Sequence, residues 1–361
     1  MNKKGDEIMK FVHIADMHFG TTFESLKENL GEKRRLAQRE IFSKMIEYIK
    51  TNKIPYLFIS GDLYEEKYIR ETTIQYINNK FKEIAETKIF IAPGNHDPFL
   101  KNSYYNSYNW ASNVKIFSNK IEKMSFKDVD IYGYGFNEMY GKTIDLDELQ
   151  IENKEKINIL IMHATLDGSL TLEKTYNPVT RKLLKSKGFD YVALGHIHKN
   201  NLEENSNIVY PGSMISLGFD ELGNHGMVVG EVTKENLKVE LINLDPIEFV
   251  EYELDITDII SKEDLIENLN NLYIPENNYY KIVLKGTRNF EINLLNIRKL
   301  IENNKILKIK DETKLKYNLE ELSKEISLRG FFVNNLLEKK KSGEYVDKEI
   351  EKALEIGLEI L

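Results

Sequence analysis

The chain is predicted to be an α/β protein, with two sheets packed together and helices outside, then a small α/β unit and a helical tail. Three observations predict this. Short apolar runs alternate with amphipathic stretches over the first hundred residues, which implies a largely parallel sheet. Further short apolar runs then follow one another with little helix between them, enough to make a second sheet. Apolar residues form 41% of the 361, ample for a core of this size.

The elements are expected in this order. Phe11–Ala15 (FVHIA) reads as a buried strand, and Glu32–Lys50 as a basic helix whose apolar stripe is Leu36, Ile41, Met45, Ile46 and Ile49. Tyr56–Ser60 is a second strand, Ile69–Ile84 a helix and Lys88–Ala92 a third strand. Lys115–Phe117, Ile121–Phe126 and Val129–Tyr134 read as short antiparallel strands. Ile157–Met162, Tyr191–Leu194, Ile208–Tyr210, Met227–Val232 and Leu237–Leu244 complete the set. A boundary falls near Asp245–Pro246, so 9–245 is one domain. Beyond it, strands at Phe249–Leu254, Tyr279–Leu284 and Ile306–Ile309 enclose helices at Lys262–Leu272 and Leu294–Asn303, giving a small domain over 246–312. Residues 313–361 are rich in Leu, Glu and Lys and read as helix.

Composition narrows the chemistry. With no cysteine there are neither disulfides nor thiolate ligands, so a metal must be held by nitrogen and oxygen. This fits a reducing cytoplasm. No apolar run is long enough for a bilayer, and Met1–Ile8 lacks the apolar middle of a signal peptide and reads as a disordered extension. The net charge is −8. Residues 241–361 hold 24 acidic against 18 basic side chains, and 1–240 hold 34 against 32. Binding to nucleic acid would therefore need a local basic groove or a basic partner.

Five clusters stand out: Asp16-Met17-His18, Gly61-Asp62, Gly94-Asn95-His96-Asp97, His163, and Gly195-His196-Ile197-His198. Each follows an apolar strand, where open α/β sheets place their ligands. Five of the seven histidines lie in them. A phosphodiester repels nucleophiles, and two divalent ions about 3.5–4 Å apart neutralise it and activate a bridging hydroxide. A carboxylate is the best shared ligand, and imidazoles favour Mn, Fe or Zn over Mg or Ca. Singly, each cluster could be a turn; together they form a site. His13 lies inside a strand and reads as a core or supporting histidine, and His225 as a turn residue.

The ordered set D-x-H, G-D, G-N-H-D, H, G-H-x-H resembles the calcineurin-like metallophosphoesterase superfamily over roughly residues 9–245. The resemblance implies an α/β/β/α sandwich and assigns roles. Asp16, His18 and His198 would bind one ion and Asn95, His163 and His196 the other, with Asp62 bridging. His96 would stabilise the transition state and protonate the leaving oxygen, oriented by Asp97. Mn is the expected metal, with Fe and Zn as alternatives.

Within the superfamily, Gly61–Glu65 lacks the Asp-Arg-Gly of protein phosphatases, and Glu65 stands where purple acid phosphatases carry a tyrosine. FVHIADMHFG over Phe11–Gly20 and Tyr210-Pro211-Gly212-Ser213 look like the DNA repair exonuclease group of SbcD and YhaO-like proteins, as does the tail Ala353–Leu358. That resemblance implies a DNA exonuclease, with endonuclease activity open, a DNA-binding cap at 246–312, and an SbcC-type coiled-coil ATPase as partner. It also admits a homodimer. The partner would bind the C-terminal helices through Leu322, Ile326, Phe331, Phe332, Leu336 and Leu337. The alternatives are a small-substrate phosphodiesterase or phosphatase and a weakly catalytic protein that tethers DNA. Several relatives carry histidine at the position of Glu65; a carboxylate facing phosphate is repulsive unless turned away, hydrogen-bonded or protonated. Three further expectations concern substrate. Ser213 offers its N–H and hydroxyl to phosphate. Tyr104, Tyr105, Tyr108 and Trp110 stack on bases or pack a helix. Lys33, Arg34, Arg35 and Arg39 steer phosphate or form a solvated face.

Overall fold

The computed structural model describes residues 8–23, 28–138, 146, 149–167, 176–203, 206–343 and 345–360. The opening segment 1–7, expected to be an extension, lies outside them. Two compact units emerge, one comprising Met1–Val250 with Glu276–Tyr279, the other Glu251–Pro275 with Tyr280–Leu361.

The first unit runs β1 (Met9–Ile14), α1 (Glu28–Thr51), β2 (Tyr56–Ile59), α2 (Glu71–Lys82), β3 (Lys88–Ile91), α3 (Tyr104–Ser107) and β4 (Val114–Ile116). It continues through β5 (Glu122–Ser125), β6 (Val129–Tyr134), β7 (Ile157–His163), α4 (Arg181–Lys187), β8 (Tyr191–Gly195), β9 (Ile208–Val209), β10 (Gly226–Val232) and β11 (Leu237–Asn243). One sheet has the order β11-β10-β1-β2-β3-β4, the other β5-β6-β7-β8-β9. The layer architecture is the expected α/β/β/α sandwich. β4 departs from expectation: it pairs parallel to β3, and of the three strands expected to be antiparallel here only β5 and β6 pair that way. A strand of three residues carries too little pattern to announce its direction.

Alternation along the strands builds the layers. Phe11, Phe58 and Phe90 from one sheet meet Ile159, Ile161, Tyr191 and Ala193 from the other between the sheets. Their neighbours Val12, Ile14, Leu57, Ile59, Ile89 and Ile91 turn outward to pack under α1 and α2. Leu160, Met162, Val192 and Leu194 do the same beneath α4. In α1 the core face follows Leu30, Arg34, Gln38, Ile41, Met45 and Ile49, all buried, and Leu36 is 64% exposed. Leu36 lies two residues, about 200°, from that face. Arg34 and Gln38 fill core positions that a pattern of apolar residues cannot announce.

The second unit contains the end of β12 (Glu248–Asp255), α5 (Lys262–Asn271), most of β13 (Asn278–Lys285), β14 (Thr287–Arg288), α6 (Leu294–Leu300), β15 (Ile306–Asp311) and β16 (Lys314–Leu315). Strand order is β12-β13-β15, with β13 and β15 parallel, around a core of Leu265, Leu269, Ile282, Leu284 and Ile297. α7 (Leu319–Leu322), α8 (Leu328–Ser342) and α9 (Asp347–Ile360) close the chain. The stretch expected to be helix from Lys314 thus opens with a two-residue strand and is broken at Ser327 and Gly343. Ser327 caps α8 by accepting from Gly330 N, and Gly343 ends it in the left-handed conformation.

Candidate metal centre

Four of the expected ligands sit in strained backbone. Asp16, His18, Asp62 and His196 all have positive φ (52°, 49°, 52° and 105°), a region non-glycine residues enter at a cost of about 1–3 kcal/mol each. Cross-links between loops hold them there. Asp16 N donates to Gly61 O (3.1 Å) and His18 N to Asp62 O (2.9 Å). The Asp97 carboxylate accepts from Asp62 N (3.0 Å), Leu63 N (2.6 Å), Gly94 N (2.7 Å) and the Tyr105 hydroxyl (2.6 Å). Burial, and then the Asp62 charge, push the Asp97 carboxyl up to about 7, and the Tyr105 and Gly94 donors oppose the rise. Two glycines permit the crowding. A Cβ on Gly61 (φ +89°) would lie 2.4 Å from His163 Nδ1, and one on Gly195 only 1.9 Å from Ser60 O.

The imidazoles share one arrangement. His18 Nδ1 meets Glu65 Oε1 (2.7 Å), His163 Nδ1 meets Ser60 O (2.8 Å), and His198 Nδ1 meets Glu221 Oε1. An acceptor on Nδ1 fixes its proton there and leaves the Nε2 lone pair to face inward. The inward atoms are then all acceptors. His18 Nε2 and His198 Nε2 stand 3.1 Å apart. His163 Nε2 lies 3.0 Å from Asn95 Oδ1 and 3.3 Å from Asp62 Oδ2. Asp62 Oδ2 is also 3.8 Å from His18 Nε2, and Asp16 Oδ1 is 3.9 Å from His198 Nε2. Lone pairs this close repel unless a proton or a cation lies between them. Ligands at about 2.1 Å from one ion are separated by about 3.0–3.4 Å, so the donor set fits divalent cations. Asp16, His18 and His198 make one cluster and Asp16, Asp62 and His163 another, so Asp16 is common to both, and Asp62 Oδ2 lies within 4 Å of both His163 Nε2 and His18 Nε2. The His196 ring packs edge-on to His163, centroids 5.2 Å apart, and the backbone N–H of His196 donates to both Asp16 oxygens at 3.1 Å.

Charge follows from this crowding. Burial opposes protonation of His163, but Asp62 outweighs it and raises the imidazole to about 9. For His198, burial is outweighed by Glu221 and Asp16, again to about 9. Burial works against ionisation of Asp62, yet His163 and His18 hold its carboxyl far below the ordinary range. Burial alone pushes His13 down to about 3, so it is neutral; its ring bonds Tyr191 Oη and Ser60 Oγ at 2.9 Å, supporting the carbonyl that holds His163.

The His96 side chain is half-exposed at the mouth, and its backbone N–H donates to Asp62 Oδ1 (2.9 Å). Its orienting partner is Glu65, not Asp97: Nδ1 meets Glu65 Oε2 at 2.9 Å, and Asp97 is taken up by the backbone donors named above. Glu65 therefore ties His18 to His96 and is hydrogen-bonded, one of the conditions under which a carboxylate is tolerated beside phosphate. Burial works against its charge, but the hydrogen bonds from the two histidines hold it down at about 2. Sequence reasoning missed this role, and also Glu221. That residue receives Ser213 Oγ (2.8 Å) while gripping His198.

Other expectations are corrected. Ser213 is fully buried, with its N–H donated to His198 O (3.0 Å) and its hydroxyl to Glu221, so Tyr210–Ser213 braces His198 and cannot reach phosphate. His225 is no surface turn; it is buried against Ser213 and Glu221 O. Tyr105 is buried on Asp97, and Tyr104, Tyr108 and Trp110 pack against the core, which favours packing over base stacking. Arg34 is fully buried in a two-pronged pair with Asp245 (Nη1–Oδ1 3.0 Å) and cannot steer phosphate.

Residues 9–200 match the family model described as calcineurin-like phosphoesterase. The metallophosphoesterase YhaO of Bacillus subtilis is 24% identical over 292 residues, 77% of this chain and 69% of that protein. The SbcD component of the SbcCD nuclease of Staphylococcus epidermidis is 28% identical over 306 residues, 73% of this chain and 78% of that protein. Among solved structures, TT1561 of Thermus thermophilus aligns with 66% of this chain and all of its own, at 11% identity and a TM-score of 0.38.

Proposed function

The chain belongs to the calcineurin-like phosphoesterase family, whose members use two divalent metals to hydrolyse phosphoesters, and from that premise we propose that it is a DNA nuclease. The convergence of imidazole, amide and carboxylate ligand atoms at 3.0–3.3 Å, which only shared protons or cations can hold together, carries the reading of a two-ion site. His18, Asp16 and His198 would hold one ion, His163, Asn95 and His196 the other, and Asp62 both, with Mn as the expected metal. Bound there, two divalent ions would offset the phosphodiester charge and supply Lewis acidity. The chain's own groups do the rest. Glu65 fixes the His96 ring at the mouth and favours its charged form, and burial is outweighed so that its pKa rises to about 9. His96 can then deliver a proton to the leaving 3′-oxygen.

The relative named as part of a nuclease supports DNA as the substrate. On this reading 246–312 is a cap that helps bind DNA and 313–361 meets an SbcC-type coiled-coil ATPase. Of the apolar residues expected to face that ATPase, Leu322, Phe332, Leu336 and Leu337 pack into the helical core with Val333, Ile350, Leu354 and Leu358. Ile326 and Phe331 stay exposed, by 97% and 66%, and are the two of that set left for such a contact, beside Leu328, which is not among them and is 71% exposed. No helix among the described residues is long and apolar enough to cross a membrane.

The test is hydrolysis by the Mn²⁺-loaded protein of labelled single- and double-stranded DNA and of a small phosphodiester, with and without EDTA. DNA cleavage abolished by EDTA is expected; turnover of the small ester alone would assign a small-substrate enzyme instead. His96→Ala is expected to lose cleavage while retaining its ions, and loss of metal in that variant would overturn the role given to His96.

A further inference from the structure

We propose that a basic cleft beside the metal centre holds an unpaired nucleic-acid strand flanking the scissile phosphate. Its walls are α1 and the start of α2, and its volume is about 570 Å³, of the size that holds a small ligand or nucleotide. Arg35 and Arg39 enter it from adjacent turns of α1 and Arg70 from the residue that starts α2, with Leu36 and Tyr68 exposed between them.

Three observations carry this. First, all three arginines are exposed, and none is paired with a carboxylate among the described residues. In a chain of net charge −8 such a group of bare guanidinium ions is the local exception that phosphate binding requires. Second, the two on α1 are pre-organised. Arg39 lies over the Tyr76 ring (4.8 Å) and donates to Thr73 Oγ1 (3.2 Å), and Arg35 donates to Thr22 O (3.3 Å). Each keeps further N–H donors for a phosphate oxygen.

Third, the cleft is tied to the metal-bearing loops. Gln38, on α1 between Arg35 and Arg39, is buried and donates to Met17 O (3.0 Å) and His18 O (3.2 Å). Gly20, which lines the cleft, is two residues from His18, so their Cα atoms lie within about 7.6 Å of each other. On the other wall Tyr68 N donates to Glu65 O (2.9 Å). A strand leaving the metal centre therefore meets the arginines within a nucleotide or two. Tyr68 and Leu36 offer apolar contact to a base, which only an unpaired strand can turn outward. The proposal rests on the nuclease reading for its substrate class, but not on turnover.

The experiment uses the Mn²⁺-loaded full chain and a labelled phosphorothioate oligonucleotide, single-stranded and duplex, with binding measured over a range of salt. The triple variant Arg35→Glu/Arg39→Glu/Arg70→Glu is expected to weaken single-strand binding at least tenfold. The corresponding triple alanine variant is expected to flatten the log Kd against log salt slope by about 2, from about 0.7 per lost phosphate contact. Lys50→Ala, an exposed charge at the far end of α1, should leave both unchanged. Hydrolysis is followed in parallel as the ratio of kcat/KM on the same oligonucleotide with unmodified phosphates to that on a small phosphodiester, which should fall with the arginines. Single-strand affinity and salt slope unaltered in both triple variants would overturn the cleft, as would a variant that loses only duplex binding. Absence of any DNA hydrolysis by the wild type would instead overturn the nuclease reading, and the binding measurements would still decide the cleft.

Discussion

Glu65 shows how one side chain can reverse its expected meaning. Three positions after Asp62, it reads in the sequence as a negative charge placed against a negative substrate. In the structure each oxygen is occupied by a histidine, His18 on one side and His96 on the other. It links an expected metal ligand to the expected proton donor, and removing it frees both rings. Loss of such an outer partner lowers metal affinity or activity by about 10–100-fold. Glu65→Ala is therefore expected to lose a comparable factor in kcat, with weaker metal binding measured by titration on the same samples. A variant that matched wild type in both would show that the two rings are oriented by something else.

At the same scale, the sequence disclosed the inward-facing donors and concealed what braces them. Asp16, His18, Asp62, Asn95, His163 and His198 are unusual residue types directly after apolar strands, and the structure brings them together. His196 comes with them as the neighbour of His163. Glu221, Ser213, His225 and Gln38 act through contacts 8 to 23 residues apart in the chain, or through burial of a polar group, and neither has a local pattern. Arg34 illustrates the same limit. It is one of four basic residues in a row of helix, and only the fold reveals that its phase points it at Asp245 rather than at solvent.

At the scale of elements, the site depends on strands that approach more closely than side chains permit. β8 ends at Gly195, whose missing Cβ makes room for the carbonyl of Ser60, and that carbonyl in turn fixes His163. Gly195→Ala must push the two loops apart, at an overpacking cost of about 1–3 kcal/mol. A lower melting temperature together with weakened metal binding is expected; an unaltered metal affinity would mean that the loops absorb the methyl group without moving His163. Strand positions were legible because period-two burial alternates between the inter-sheet core and the helix layers. The four-residue α3 and seven-residue α4 were not, since a turn or two of helix lacks a usable period. The helical tail expected from composition, given no internal boundaries, divides into three helices, with Ser327 and Gly343 supplying the cap and the stop of α8.

For the whole molecule, the balance between protons and cations sets its pH response. Without ions, His163 and His198 retain protons up to about pH 9, against about 6.5 in the unfolded chain. Because the folded values are raised, this stabilisation is fully present below about pH 6.5 and is lost as pH rises through about 9. Divalent cations displace the same protons. Metal binding near pH 7.5 is thus expected to release protons, visible as a binding heat that depends on the buffer's ionisation enthalpy. The effect should fade above about pH 9, where the apparent affinity levels off. A heat independent of buffer at pH 7.5 would contradict the protonation assigned to these histidines.

The two-ion site itself is tested most directly by counting ions. Metal-saturated wild-type protein, assayed by elemental analysis and by anomalous scattering from crystals, should hold two divalent ions per chain, one bordered by His18 and His198 and the other by His163 and Asn95. Folded Asp62→Ala should lose both ions together. A saturated wild-type chain carrying a single ion, or an Asp62→Ala chain that keeps its full complement, would contradict the account.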